Sequence, residues 1–271
     1  MNAGVRATAL RWLAQGRAAQ WVEVVSTRGS APREAGTRML VAADAVAGTI
    51  GGGHLELQAI GLARSRLSRG EAAPQAQPLA LGPSLGQCCG GAVTLRYRAL
   101  DEASLADWPE PAPRFVLQLF GAGHVGRAVV RLLEGIDCRV QWIDEREDEF
   151  PPHDELAAPH IERVCVDAVE AEVAVAPAGA CFLVMTHQHD LDLRITEAVL
   201  ERGDFRWLGL IGSQTKRARF VHHFERRGIP AAAIERLVCP IGVPGIDGKA
   251  PEVIAVAVVA QLLQACPQTA P

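Results

Sequence analysis

Residues 114–126 read RFVLQLFGAGHVG, and their reading decides the fold. A nearly all-apolar run, 114–120, passes directly into Gly121-Ala122-Gly123-His124-Val125-Gly126. A strand that ends in G-x-G-x-x-G and opens a helix is the fingerprint of a nucleotide-binding βαβ unit. Its glycines permit a tight turn, a close backbone approach to phosphate and close helix packing. The helix that follows places Val125, Val129, Leu132 and Leu133 on one face. Its first N–H groups and partial positive charge suit an anion. Gly121, Gly123, His124 and Gly126 are therefore candidate cofactor-binding residues.

Working outward, 138–144 is a second strand that closes on Asp144, where an acid that binds ribose is expected. Arg146 stands close by, open to a 2′-phosphate or to pairing with Glu145 or Glu149. Residues 161–166, 180–186 and 207–213 read as three more strands. Helical patterns follow at 192–203 and 215–228, with Gly203 and Gly228 at the expected C-caps. The last helix, 251–265, is apolar nearly all round and reads as buried. Apolar strands alternating with helices imply a parallel sheet covered on both faces. The expected class is α/β, with a Rossmann-type parallel sheet over 114–271 and a smaller N-terminal α+β domain over 1–100. Between them, DEASLADWPEPAP (101–113) carries acids and alternate prolines and reads as a stiff connector.

The N-terminal part is less regular. A helix over 6–16 leads to a strand over 21–27, and 37–50 reads as a hairpin turning at Ala43–Asp44. GGGHLE opens a helix that runs to Arg69, a Pro- and Gln-rich loop follows, and 92–98 is a strand. The 271 residues are 49% apolar and 21% charged, with a net charge of −4. That balance excludes a general nucleic-acid binder. The longest apolar run, 253–260, is far below the roughly 20 residues of a membrane span. No apolar signal core opens the chain, and the seven cysteines are odd in number with no C-x-x-C spacing. A cytoplasmic protein without a zinc ribbon is the expectation.

Four further stretches carry candidate chemistry. In Gly48-Thr49-Ile50-Gly51-Gly52-Gly53-His54-Leu55-Glu56, consecutive glycine N–H groups can nest an anion. Gly51, Gly52, Gly53, His54 and Glu56 are candidates there; a tight loop packed on its neighbours is the alternative. Gly86-Gln87-Cys88-Cys89-Gly90-Gly91 sets a vicinal thiol pair between glycines. An accessible thiolate is a soft ligand for molybdenum or copper and an acceptor of sulfur, so Gln87, Cys88 and Cys89 are candidates. Thr186-His187-Gln188-His189-Asp190 partly matches a T-H-x-H-x-D-H zinc motif but continues Leu191-Asp192. Its place at a strand's carboxyl end keeps His187 and His189 as site residues without zinc. In 209–220, Ser213 can cap a helix, and Lys216, Arg219 and His223 fall on adjacent helical positions. They read as a phosphate clamp or as a solvated basic face.

Taken together, GTIGGGHLE, GQCCGG, LFGAGHVG, THQHDLDL, GLIGSQTKR and PIGVPGIDGKAPEVIAVAV resemble the xanthine dehydrogenase accessory protein family of the XdhC/CoxI type. The GGGHLE and GQCCGG pair is the specific part. His54 stands where related proteins often carry Cys, in a G-G-C-V-E form, which points to the xanthine dehydrogenase branch. The resemblance implies a chaperone without turnover of its own. Such a protein binds molybdenum cofactor (molybdopterin), protects it while a cysteine desulfurase exchanges an oxo ligand for sulfur, and delivers it to the xanthine dehydrogenase large subunit. It implies a molybdenum contact at Cys88 or Cys89, phosphate contacts at 51–53 or 121–126, and a homodimer. The alternative is an NAD(P)-dependent oxidoreductase resting on the fingerprint and Asp144. The sole tyrosine, Tyr97, lies outside that region. A metal-dependent hydrolase using His187 and His189 is the third reading.

Overall fold

The parallel sheet expected from the glycine fingerprint has six strands, one more than the five read from sequence, in a computed structural model that describes residues 2–81, 91–108, 112–152 and 158–267. The chain divides into two units, Met1–Ala112 and Pro113–Pro271. In the first unit, α1 (Asn2–Ala14) precedes β1 (Ala19–Arg28), β2 (Arg38–Ala42) and β3 (Val46–Gly48). Then come α2 (Gly53–Ser68), β4 (Gln75–Ala80), β5 (Ala92–Ala99) and α3 (Glu102–Ala106). The sheet is antiparallel with order β3-β2-β1-β5-β4.

Side-chain alternation gives this sheet two buried faces. Val22, Val24, Met39, Val41 and Leu95 pack with Leu55, Ala59 and Ala63 of α2. Trp21, Leu40 and Ala42 pack with Val5, Ala9 and Trp12 of α1 and with Leu105 and Trp108. The stretch expected to be a connector is therefore partly structure. Asp101 accepts from Ser104 N at 2.6 Å and donates its own N–H to Ser104 Oγ, a capping box that starts α3. Beyond α3, Trp108 stacks on Trp21 with centroids 5.2 Å apart. The Pro- and Gln-rich loop is also corrected: it contains β4, whose edge position tolerates Pro78.

Glu23 lies buried between two arginines that the register places opposite it, Arg38 on β2 and Arg96 on β5. Oε1 accepts from Arg38 Nη2 at 2.5 Å, and Oε2 accepts from Arg96 Nε at 2.9 Å. The Arg38 guanidinium covers the rings of Trp21 and Trp108, 5.1 Å from each centroid.

The second unit contains β6 (Val116–Phe120), α4 (His124–Leu133), β7 (Arg139–Asp144), β8 (Ile161–Cys165), α5 (Glu172–Val175) and β9 (Cys181–Val184). It continues with α6 (His189–Arg202), β10 (Trp207–Leu210), α7 (Gln214–Arg226), α8 (Ala231–Ile234), β11 (Leu237–Val238) and α9 (Pro251–Ala265). The parallel order β11-β10-β9-β6-β7-β8 is the doubly wound Rossmann order, with its switch point between β6 and β9. On one face, Leu117, Leu119, Cys181 and Leu183 pack with Val129 and Leu133 of α4 and Val258 and Leu262 of α9. On the other, Phe120, Phe182 and Val184 pack with Ile195 and Val199 of α6 and Phe220 and Phe224 of α7. Two readings shift. Leu132 is turned outward, with Ala128 and Val130 buried instead, and Val256 of α9 is 47% exposed, so α9 is a two-sided helix.

Removing Glu23 strips Arg38 and Arg96 of their shared carboxylate. Glu23→Ala is expected to lower stability by about 3–5 kcal/mol, while the Glu23→Met, Arg38→Met pair recovers most of that loss. Urea unfolding followed by tryptophan fluorescence measures both.

Candidate functional site

The glycine fingerprint is built by contacts that leave no room for side chains. A methyl at Gly121 (φ +120°) would lie 2.4 Å from Met185 O, the residue just after β9. One at Gly126 would lie 2.1 Å from Gly121 O. These glycines hold the β6 and β9 ends together and seat α4 on its own loop. Gly123 differs: a methyl there meets nothing within 4 Å. The first N–H groups of α4 have no intrahelical acceptor, and this open face borders them. His124, the first residue of α4, is exposed.

Asp144 anchors that loop. Its Oδ2 accepts from Ala122 N at 2.6 Å and Arg146 Nη2 at 2.9 Å. Its Oδ1 accepts from Arg146 N and Arg146 Nε, each at 3.0 Å. These four bonds fill the four lone-pair positions of a carboxylate, and the residue is only 4% exposed. Of the partners expected for Arg146, Glu149 is realised at 3.2 Å beside Asp144 itself. Burial pushes the Asp144 carboxyl up, but the Arg146 guanidinium and the N–H groups of Ala122 and Arg146 outweigh it. The result lies below the usual carboxylate range. Trp142 Nε1 donates to Gly121 O at 3.0 Å, and Arg127 Nε donates to Ala122 O at 3.0 Å.

Across the switch point, Thr186 follows β9 and is held by Asp192 of α6. Asp192 Oδ1 accepts from Thr186 Oγ1 at 2.7 Å and from Thr186 N at 2.9 Å. Asp192 Oδ2 accepts from Lys216 Nζ at 2.5 Å, and the same ammonium donates to Ile211 O at 2.8 Å. Asp192 is 1% exposed and the Lys216 side chain 9%. The phosphate clamp is thus corrected. Lys216 points inward to neutralise a buried acid, while Arg219 is exposed and His223 lies 3.5 Å from Glu197. Ser213 does cap α7, accepting from Lys216 N at 3.2 Å.

His187 and His189 are exposed. His187 Nε2 lies 3.6 Å from Glu145 Oε1 and 2.9 Å from Gln188 Nε2. His189 opens α6. Among the described residues no three His, Cys, Asp or Glu side chains converge as a metal-ligand set.

In the first unit the glycine run does form a nest, and its anion is Glu56. Glu56 Oε2 accepts from Ile50 N and Gly52 N, each at 3.0 Å, and from the Thr49 hydroxyl. Thr49 Oγ1 in turn accepts from Gly51 N at 3.1 Å. Gly51 (φ +124°) packs against Pro32, where a methyl would sit 2.6 Å from the ring. Gly52 faces open space, Gly53 begins α2, and His54 is exposed with its ring 3.1 Å from Gln58. Gln87, Cys88 and Cys89 lie outside the described residues.

Sequence reasoning missed Asp192 and Thr186 as a unit. The available signal was an acid on the apolar face of α6, one position from Leu191 and one turn before Thr196. Thr196 Oγ1 donates to Asp192 O at 2.6 Å.

Fold and site define a Rossmann-type protein with an antiparallel, helix-flanked N-terminal unit. The family described as XdhC Rossmann domain matches residues 117–262, and the XdhC and CoxI family matches residues 12–76. The chain belongs to the XdhC family. It is 30% identical over 255 residues to the uncharacterized protein YqeB of Escherichia coli (strain K12). That alignment covers 89% of this chain and 42% of YqeB, so the chain spans less than half the length of this curated relative. The fold is similar to that of a crystal structure of a xanthine dehydrogenase from Bacillus halodurans. The TM-score is 0.76 over 96% of this chain and 95% of that one, at 20% identity.

Lys216→Met leaves Asp192 buried without its cation and is expected to cost about 3–5 kcal/mol in urea unfolding, with Asp192→Asn added to it restoring part of the loss. Asp144 gives a pH signature. Because its folded pKa is depressed, its stabilisation is complete above the unfolded value of about 4 and is lost as pH falls through the folded value. The stability difference between wild type and Asp144→Asn should stay constant from pH 5 to 8, within the range above about 4, and narrow below it. Thermal melts across that range and on down its acid side measure it.

Proposed function

We propose that this chain is a xanthine dehydrogenase accessory protein that binds molybdenum cofactor, shields it during sulfuration by a cysteine desulfurase, and delivers it to the large subunit of xanthine dehydrogenase. The observation that carries the reading is the presence of both family regions on one chain, 12–76 and 117–262. The relation to a solved protein described as a xanthine dehydrogenase supports the client class. In this reading the chain binds and releases without turnover, as a homodimer in the cytoplasm. No helix among the described residues is long and apolar enough to cross a membrane.

The second unit suits a phosphate-bearing group. Gly123 leaves its face open beside the N-terminus of α4, while Gly121 and Gly126 are closed by backbone. Gly123, His124 and the backbone to Gly126 would hold the phosphate; the thiolate contact that the resemblance implies, at Cys88 or Cys89, lies outside the described residues. When bound, the cofactor supplies a dithiolene-held molybdenum with an exchangeable oxo ligand. Asp144, Arg146 and Arg127 fix the loop that presents those N–H groups. Asp192, Lys216 and Thr186 fix the neighbouring strand end that carries His187 and His189.

The NAD(P)-dependent oxidoreductase reading is favoured by the strand order. It is weakened by Asp144, whose four acceptor positions are filled from within the chain and leave none for a ribose diol.

The test is anaerobic incubation of the purified chain with molybdenum cofactor, removal of free ligand, and quantification of retained pterin by fluorescence after oxidation. Parallel samples contain NADPH, or the Cys88→Ala, Cys89→Ala protein. Near-stoichiometric pterin that falls at least about tenfold in the double variant, the scale of losing a good contact, is the expected result. No retained pterin with tight NADPH binding overturns the reading in favour of the oxidoreductase.

A further inference from the structure

The end of the parallel sheet opposite the glycine loop holds a cluster that the proposed function does not use. Cys181 begins β9, and Cys266 closes α9 as its C-cap. Their sulfurs are 3.3 Å apart, and both residues are fully buried. Two arginines from the starts of other strands hold the helix end in place. Arg114, just before β6, donates from Nε to Cys266 O at 2.6 Å and from Nη2 to Leu263 O at 3.1 Å. Arg206, just before β10, donates from Nη2 to Pro267 O at 3.5 Å and from Nη1 to Arg114 O at 3.3 Å. Cations at a helix C-terminus satisfy its last carbonyls and oppose its partial negative charge.

We infer that Cys181 and Cys266 are an oxidation site, closing a reversible disulfide between the start of β9 and the end of α9 when hydrogen peroxide is the oxidant. Three observations carry this. The sulfurs are already in contact, about 1.3 Å beyond the length of a disulfide bond. The two thiols belong to elements far apart in sequence that the fold brings together. The other described cysteines are placed differently: Cys138 faces Leu133 O at 3.9 Å, Cys239 faces Ser213 O at 4.0 Å, and Cys165 is exposed.

The local charges choose which sulfur reacts first. The hydrogen bond shared with Cys181 lowers the Cys266 thiol, burial opposes it, and Arg206 and Arg114 reinforce it. Cys181 moves up, through the same hydrogen bond and then burial. Burial pushes Cys138 up to about 12, and it raises Cys165 and Cys239 as well. The Cys266 thiolate therefore attacks peroxide, breaking the O–O bond to give a sulfenic acid and hydroxide. The Cys181 sulfur then displaces hydroxide from that sulfenic sulfur, forming the S–S bond. Two electrons pass from the sulfurs to peroxide, and two thiols plus one peroxide yield one disulfide and two waters. Transient opening of this end, against the hold of those two arginines, is the step that would admit the oxidant to the buried pair.

The link would hold more than the helix end. α9 also pins the loop after β11, because Val243 N donates to Ala257 O at 3.1 Å and Gly242 exchanges two hydrogen bonds with the Gln261 amide.

The experiment uses the full chain, reduced and desalted, then treated with hydrogen peroxide at neutral pH. The protein is denatured in N-ethylmaleimide and digested, and each cysteine peptide is quantified by mass. The expected product is a peptide pair joined through Cys181 and Cys266, two hydrogens lighter than its parts, which dithiothreitol reduces to two thiols that a second treatment with N-ethylmaleimide labels. The oxidised chain should melt at least about 5 °C higher than the reduced one, a rise that Cys181→Ala abolishes. Full maleimide labelling of both residues, at a peroxide dose that oxidises exposed Cys165, overturns the inference. Peptide mapping of the wild-type chain decides the matter even where the variant fails to fold.

Discussion

The ion pair between Asp192 and Lys216 holds together the carboxyl edge of the second unit's sheet. A carboxylate with almost no access to water needs both a cation and hydrogen bonds to be tolerated. Asp192 has both, and its partners come from three places: Thr186 after β9, Lys216 of α7, and through Lys216 the Ile211 carbonyl after β10. Two neighbouring strand ends are thereby locked to one another. Asp144 does the same on the other side of the switch point, joining the β7 end to the glycine loop. The edge where a Rossmann sheet takes its ligand is thus framed by two satisfied acids.

The first unit uses the same device twice. Glu23 bridges Arg38 and Arg96 across three strands. Glu56 reaches back from α2 into the turn that precedes it and receives N–H groups the glycines would otherwise leave unpaired. Glu56 and Asp144 each support the loop of their own motif, whereas Glu23 ties strands together. That division of labour leaves Gly123 and the first turn of α4 as the open part of the fingerprint.

The parallel sheet was legible because its strands are short apolar runs and its first turn carries a fingerprint with a mechanical reason for each glycine. The order of the strands follows from that start and from right-handed crossovers. Short elements escaped: β4 hides in a polar stretch, β11 is two residues long, and α3 lies in a segment whose prolines suggested a connector. Site residues were legible as positions and less so as roles. Spacing put Lys216 on a basic helical face, but a lysine's long stem can turn inward when an acid is buried within reach, and spacing does not reveal Asp192. The same holds for Glu56 and Asp144, whose partners are backbone N–H groups that a sequence pattern does not display. Cys181 and Cys266 are separated by most of the second unit, so only the fold could bring them into contact.

In the proposed reading, this framed edge holds molybdenum cofactor through the backbone at the start of α4, and the neighbouring acids serve the scaffold. Amide hydrogen exchange of the full chain, with and without the cofactor under anaerobic conditions, tests it directly. The expected result is slowed exchange at 123–126 on cofactor binding and no comparable protection by NADPH. Unchanged exchange there in a chain that retains stoichiometric cofactor, or equal protection by NADPH, would contradict it.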